Sequence, residues 1–137
     1  MLVIKNAKLY TITNGIQDGS VLIDDMGKIA AVGQVDIPAG AQVLDAGGKV
    51  LTPGFMDAHG HAGAWEEGLG WEGSDGNEMT DPVTPHLRVL DGINPHEEGI
   101  AEALRAGVTA MCVLPGSANV IGGQGVVVHL HGNTVKR

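Results

Sequence analysis

Cysteine is almost absent: Cys112 is the only one among 137 residues, so no intramolecular disulfide can form. Bases are scarce as well, with 8 Lys and Arg against 16 Asp and Glu and a formal charge of −8. Between Asp57 and Glu102 eleven acids face a single base, Arg88. Binding that works by neutralising phosphates has little to use here, which excludes nucleic acid as the expected partner. No apolar run approaches the length of a membrane span, and no basic start precedes an apolar signal region. The expectation is a reducing, cytoplasmic setting with no membrane partner. The acidic excess reads as a solvated surface, or as a mouth that attracts cations. Cys112 lies in the apolar run Thr109-Ala-Met-Cys-Val-Leu114 and reads as a small buried hydrophobe, since nothing beside it in sequence would activate a thiolate.

The first 52 residues contain short apolar stretches separated by turn signals. Strands are expected at 2–13, 20–24, 28–32, 42–44 and 49–51, with turns at Asn14-Gly15, Asp25-Met-Gly27 and Ala46-Gly-Gly48. This spacing predicts an antiparallel β-meander. Pro53-Gly54 then changes the organisation, because proline restricts φ and glycine tolerates a sharp redirection. The boundary is placed there, giving domains 1–52 and 53–137.

Beyond it, Phe55 to His59 reads as a buried strand that ends in His59-Gly60-His61. Side chains alternate along a strand, so both imidazoles project from one face and form half of a divalent-metal site. Asp57 shares that face one step deeper, either orienting an imidazole or satisfied by backbone amides. Residues 62–94 show no period and read as a long loop. Within it Trp65 and Trp71 are candidates to pack over a substrate, or to fold the loop on itself, and His86 and Arg88 are candidates for polar contacts. Asn94-Pro-His-Glu97 predicts a helix over about 95–106, with Asn94 as cap, Pro95 at the first position and Glu97 in a capping box. Ile100, Ala103 and Leu104 form its buried stripe, Gly107 its stop, and His96 is solvated. A strand over 108–114 completes a βαβ unit. The glycine-rich loop 115–125 lacks the Gly-Lys-Ser/Thr ending of a nucleotide-binding loop and offers Asn119 and Gln124 for hydrogen bonds. A third strand, 126–131, repeats the spacing with His129 and His131, so a four-histidine site is a second possibility.

Pro53-Gly-Phe-Met-Asp-Ala-His-Gly-His61 resembles the first barrel strand of the amidohydrolase superfamily. The segments 44–52, 80–88 and 92–95 resemble its imidazolonepropionase-related members. The resemblance implies an α/β chain: the N-terminal part of a small β-sandwich, then the first strands and helix of an incomplete TIM-type (β/α)8 barrel. A full barrel takes about 250 residues, so 137 hold only its beginning. It implies hydrolysis of a non-peptide, often cyclic C–N bond in a small molecule by metal-activated water, with one or two divalent metals, most often Zn²⁺. His59 and His61 are the implied ligands. The other ligands and a proton-shuttling aspartate are expected beyond residue 137. His129 stands near where related sequences place a lysine, and is a further candidate ligand. Residues 134–137 carry no natural stop signal, so a fragment or truncated frame, inactive alone, is expected; a vestigial remnant that self-associates is the alternative.

Overall fold

The computed structural model describes residues 1–132; the stop-signal expectation at 134–137 lies outside them. The chain divides into two units, Met1–Pro53 and Gly54–Arg137.

In the first unit β1 (Leu2–Thr11) pairs antiparallel with β2 (Gly15–Ile23), which pairs antiparallel with β3 (Ile29–Gly33). Thr11 closes the first turn, its hydroxyl donating to the Gly15 carbonyl at 2.8 Å and accepting from the Asn14 amide at 3.1 Å. Asp24 closes the second by accepting from the amides of Met26 and Lys28. Up to this point the chain is the expected meander. The next two strands are not: β4 (Gln42–Asp45) and β5 (Val50–Leu51) both run parallel to β1, on its free side. The reason is the length of residues 34–41, which carry the chain from one sheet edge to the other. A tight turn would only have reversed it beside β3.

Together β4 and β5 form one interrupted edge strand. At the interruption β1 bulges between Ile4 and Ala7 and Asn6 adopts φ 55°, while its carbonyl accepts from Gly48 N at 2.7 Å. Asparagine is among the few residues that hold a left-handed φ at little cost. Ala7, Leu9 and Val21 form the core of this unit, with Ile23, Ala46 and Leu51 against it. Toward the sheet edges Ile29 is 68% and Leu44 56% exposed.

The second unit holds a three-stranded sheet ordered β6 (Phe55–Gly60), β7 (Val108–Val113), β8 (Val126–His129). β6 and β7 are parallel, joined through the long excursion and α1 (Glu98–Arg105). Val113, Met111, Ala64, Val89 and Leu130 form the core, with Ile100 and Ala103 of α1 packed on it. Leu104, expected in the same stripe, is 39% exposed.

Four expectations change here. β8 is antiparallel to β7, whereas every strand of a TIM-type barrel is parallel. The 12 residues between β7 and β8 contain no helix, so the chain turns back beside β7 without crossing over. β6 is not buried on both faces: among the described residues it has one neighbouring strand, and Met56 is 80% exposed. The helix starts three residues later than Pro95, because the cap is Glu97, whose carboxylate accepts from the amides of Gly99 at 2.8 Å and Ile100 at 3.1 Å. Asn94 instead accepts from the His96 amide and makes a turn before the helix. Finally, Gly54 is not a redirecting glycine with positive φ; it lies against Thr109, where a Cβ would come within 2.3 Å of the hydroxyl.

Residues 62–94 are not structureless. They hold two 3₁₀ turns, Gly70–Gly73 and Val89–Asp91, and isolated bridges join Trp65 to Ser74, Val83 to Ile121 and Arg88 to Gln124. The apolar periods of helices and strands are missing because these residues pair by single bridges and side-chain-to-backbone bonds. Among the described residues no helix is long and apolar enough to cross a membrane.

Candidate metal centre at the end of β6

Gly60 bonds across to the residue that follows β7, its carbonyl accepting from Leu114 N at 2.9 Å. That pairing brings the Leu114 carbonyl to His61, whose Nδ1 lies 2.8 Å from it. A carbonyl only accepts, so Nδ1 carries the proton, and the neutral imidazole keeps its lone pair on Nε2. The half-buried His61 ring meets the exposed His59 ring edge-on, with centroids 5.3 Å apart. Two imidazoles bound tetrahedrally to one ion, with metal–nitrogen bonds of about 2.1 Å, place their centroids about 5.2 Å apart. The separation of the pair therefore fits a shared divalent ion. Among the described residues no group of three or more His, Cys, Asp or Glu is assembled, so the pair is a half-site.

Asp57 takes the second of its two expected roles: its Oδ1 accepts from the backbone amide of His59 at 3.0 Å. It therefore braces the strand end that carries the histidines. Trp65 stands against His61, with ring centroids 4.4 Å apart, while Trp71 is 82% exposed on the first 3₁₀ turn.

The remaining candidates lie elsewhere. His86, Arg88 and Asn119 line a cleft of about 330 Å³ together with Asp75, Glu78 and Asp91; neither His59 nor His61 lines it. Arg88 is held by its own loop, with both arms of the guanidinium on Asp91 at 2.8 and 2.9 Å. Asn119 spends its amide on the carbonyls of Glu78 and Asp81, and Gln124 donates to that of Pro85. The donors expected for a substrate are thus staples between the two long loops. Glu78 has its carboxyl held below its ordinary value, chiefly by hydrogen bonds from the Thr80 hydroxyl and amide.

His129 is corrected by register. It pairs with Ala110, which pairs with Met56 at the start of β6, whereas Gly60 at the other end pairs with Val113. Because β8 runs backwards, His129 sits at the opposite end of the sheet from the His59–His61 pair, about 10 Å away along the strands alone. The four-histidine site fails for that reason, and His131 lies further along the same direction.

Sequence reasoning missed two groups, the Leu114 carbonyl and Gly76 beneath Trp65, and placed Glu97 in a capping box where it is itself the cap. Only Glu97 left a signal, an acid ahead of an amphipathic run.

Comparison with known proteins follows the same lines. No family model matches the chain. An amidohydrolase of Thermotoga maritima superposes with a TM-score of 0.92 at 47% identity, covering 98% of this chain and 35% of that one. The amidohydrolase tasK of Hapsidospora irregularis is 40% identical over 94 residues, 68% of this chain and 10% of its own length. The allantoinase of Bacillus licheniformis is 46% identical over 117 residues, 77% of this chain and 24% of its own. The chain belongs to the amidohydrolase superfamily, and it spans about a third or less of the length of these relatives.

Proposed function

We propose that the chain is part of a metal-dependent hydrolase that opens a non-peptide C–N bond, such as that of a cyclic amide, in a small molecule. The observation that carries this reading is the His59–His61 pair at the end of β6, spaced for one ion and with His61 held through Nδ1 by a backbone carbonyl. Relatives named amidohydrolase and allantoinase support the reaction class. In this reading β6, α1 and β7 are the opening of a barrel, and residues 1–52 and 53–137 are separate domains.

His59 and His61 are the residues that would hold the metal, with Zn²⁺ the best match to two imidazoles. When bound, the metal lowers the pKa of a water and polarises the scissile carbonyl. The chain's own part is preparatory. The Leu114 carbonyl keeps the His61 proton on Nδ1, and Asp57 braces the strand end. Proton transfer to the leaving nitrogen needs a further group, a carboxylate of the kind that the described residues do not bring to this pair.

Calorimetric titration of the 137-residue chain with Zn²⁺ tests the reading. One weak site per chain is expected, lost in His59→Ala and in His61→Ala and unchanged in His129→Ala. Binding that survives both of the first two substitutions would refute the assignment. The chain by itself should not hydrolyse cyclic amides, since two of the usual three or more ligands leave the water poorly activated.

A further inference from the structure

His61 is held on two sides, and only one of them is a hydrogen bond. Its backbone carbonyl accepts from the amides of Ala64 and Trp65 at 3.0 and 3.1 Å, so the chain curls directly after the ligand and brings the indole onto the imidazole. The rings meet at 4.4 Å between centroids, tilted by 49°. The indole in turn has a fixed seat. Gly76 is buried beneath it, and a Cβ there would fall 2.6 Å from Trp65 Nε1 and 2.7 Å from Cε2. The backbone around it is stitched: Glu66 N donates to Gly73 O, Asp75 N to Ala64 O, and Gly116 N to Gly76 O. The last of these ties the seat of the indole to the loop after β7, two residues beyond the carbonyl that takes the His61 proton. The face that Trp65 turns to His61 is thus occupied by imidazole and not open as a platform for substrate.

We propose that Trp65, seated on Gly76, is a positioning residue for His61: it walls the imidazole into the single orientation set by the Leu114 carbonyl, so that Nε2 is presented to a divalent metal. The proposal rests on the reading of His59 and His61 as metal ligands. A ligand imidazole without a wall rotates about its side-chain bonds and must be ordered when the metal binds, which weakens binding even though every donor atom remains. Gly76 matters because it admits the indole. Any side chain at that position forces the ring off its present seat, because its Cβ would stand 2.6 Å from Nε1.

The experiment uses the 137-residue chain carrying Trp71→Phe, in which Trp65 is the one remaining tryptophan. Co²⁺ is titrated by calorimetry and by quenching of Trp65 emission, and the His61 tautomer is read from ¹⁵N imidazole shifts. The expected result is quenching at one site per chain, lost in His61→Ala. Trp65→Ala and Gly76→Ala should each weaken Co²⁺ binding about tenfold, the lower end of what loss of ligand-orienting groups causes, and mix the tautomers of His61. Trp65→Phe, which keeps an aromatic wall, should stay within about twofold of the parent on the same scale. Parent affinity and an unmixed tautomer in Trp65→Ala and Gly76→Ala, with binding still lost in His61→Ala, would overturn the positioning role and leave the metal reading standing. So would a loss in Trp65→Phe as large as in Trp65→Ala. Unchanged Co²⁺ binding in both His59→Ala and His61→Ala would instead sink the metal reading on which the proposal depends.

Discussion

Glu97 is a buried carboxylate of the second unit, and removing it gives a worked test of how that unit is held. The residue is 4% exposed, and its side chain accepts three backbone amides: Gly99 and Ile100 at the start of α1, and Glu67 in the loop beyond His61, at 3.3 Å. Glu97→Ala removes a helix cap, a loss of about 1 kcal/mol. It also leaves part-buried amides without acceptors, at about 1–3 kcal/mol for the site as a whole. The helix is only eight residues long and cannot hold itself, so the cost falls on its first turn. A total of about 2–4 kcal/mol corresponds to exchange at the Gly99 and Ile100 amides faster by roughly 30- to 700-fold. Hydrogen exchange followed by NMR measures this residue by residue, with the amides of Val3 and Leu9 in the other unit as an internal reference. Glu97→Gln, which keeps an acceptor oxygen and loses the charge, should fall between the parent and Glu97→Ala. Unchanged exchange at Gly99 and Ile100 in Glu97→Ala would refute the claim that this carboxylate closes the helix.

Asp45 titrates below the ordinary aspartate value of 3.8, first because Gly47 donates its amide to the carboxylate and next because Asn6 does so with its side chain. A depressed carboxylate favours the fold above 3.8 and loses that contribution as pH falls through the lower folded value, so the end of β4 beside the β1 bulge should loosen only below 3.8. A carboxyl ¹³C titration with its midpoint at or above 3.8 would contradict this. Asn119→Ala strands the carbonyls of Glu78 and Asp81 and should open the 78–82 segment to a protease that spares β6, with a local loss of about 1–2 kcal/mol. An unchanged cleavage pattern would show that the staple is dispensable.

Much of the local structure could be read directly from residue order. The turns at Asn14-Gly15 and Asp24 to Gly27 are closed by the side chains of Thr11 and Asp24 on nearby backbone, and Pro53-Gly54 marks where one run of strands ends. The His-x-His pair is equally local, because strand alternation alone puts both rings on one face.

Tertiary structure decided everything that depends on which strand lies beside which. β4 and β5 run parallel to β1, and β8 runs against β7, although their sequences are as apolar and β-prone as those of strands in the opposite sense. Direction follows from the path of the connecting segment, and strand composition does not record it. That choice removed His129 from the metal pair, since reversing one strand carries its histidine to the other end of the sheet. The partners of His61 were hidden for a related reason. The Leu114 carbonyl is chemically the same as every other carbonyl and comes to His61 from 53 residues away, and the glycine under Trp65 is one of 22 in the chain, so only the fold gives either a role.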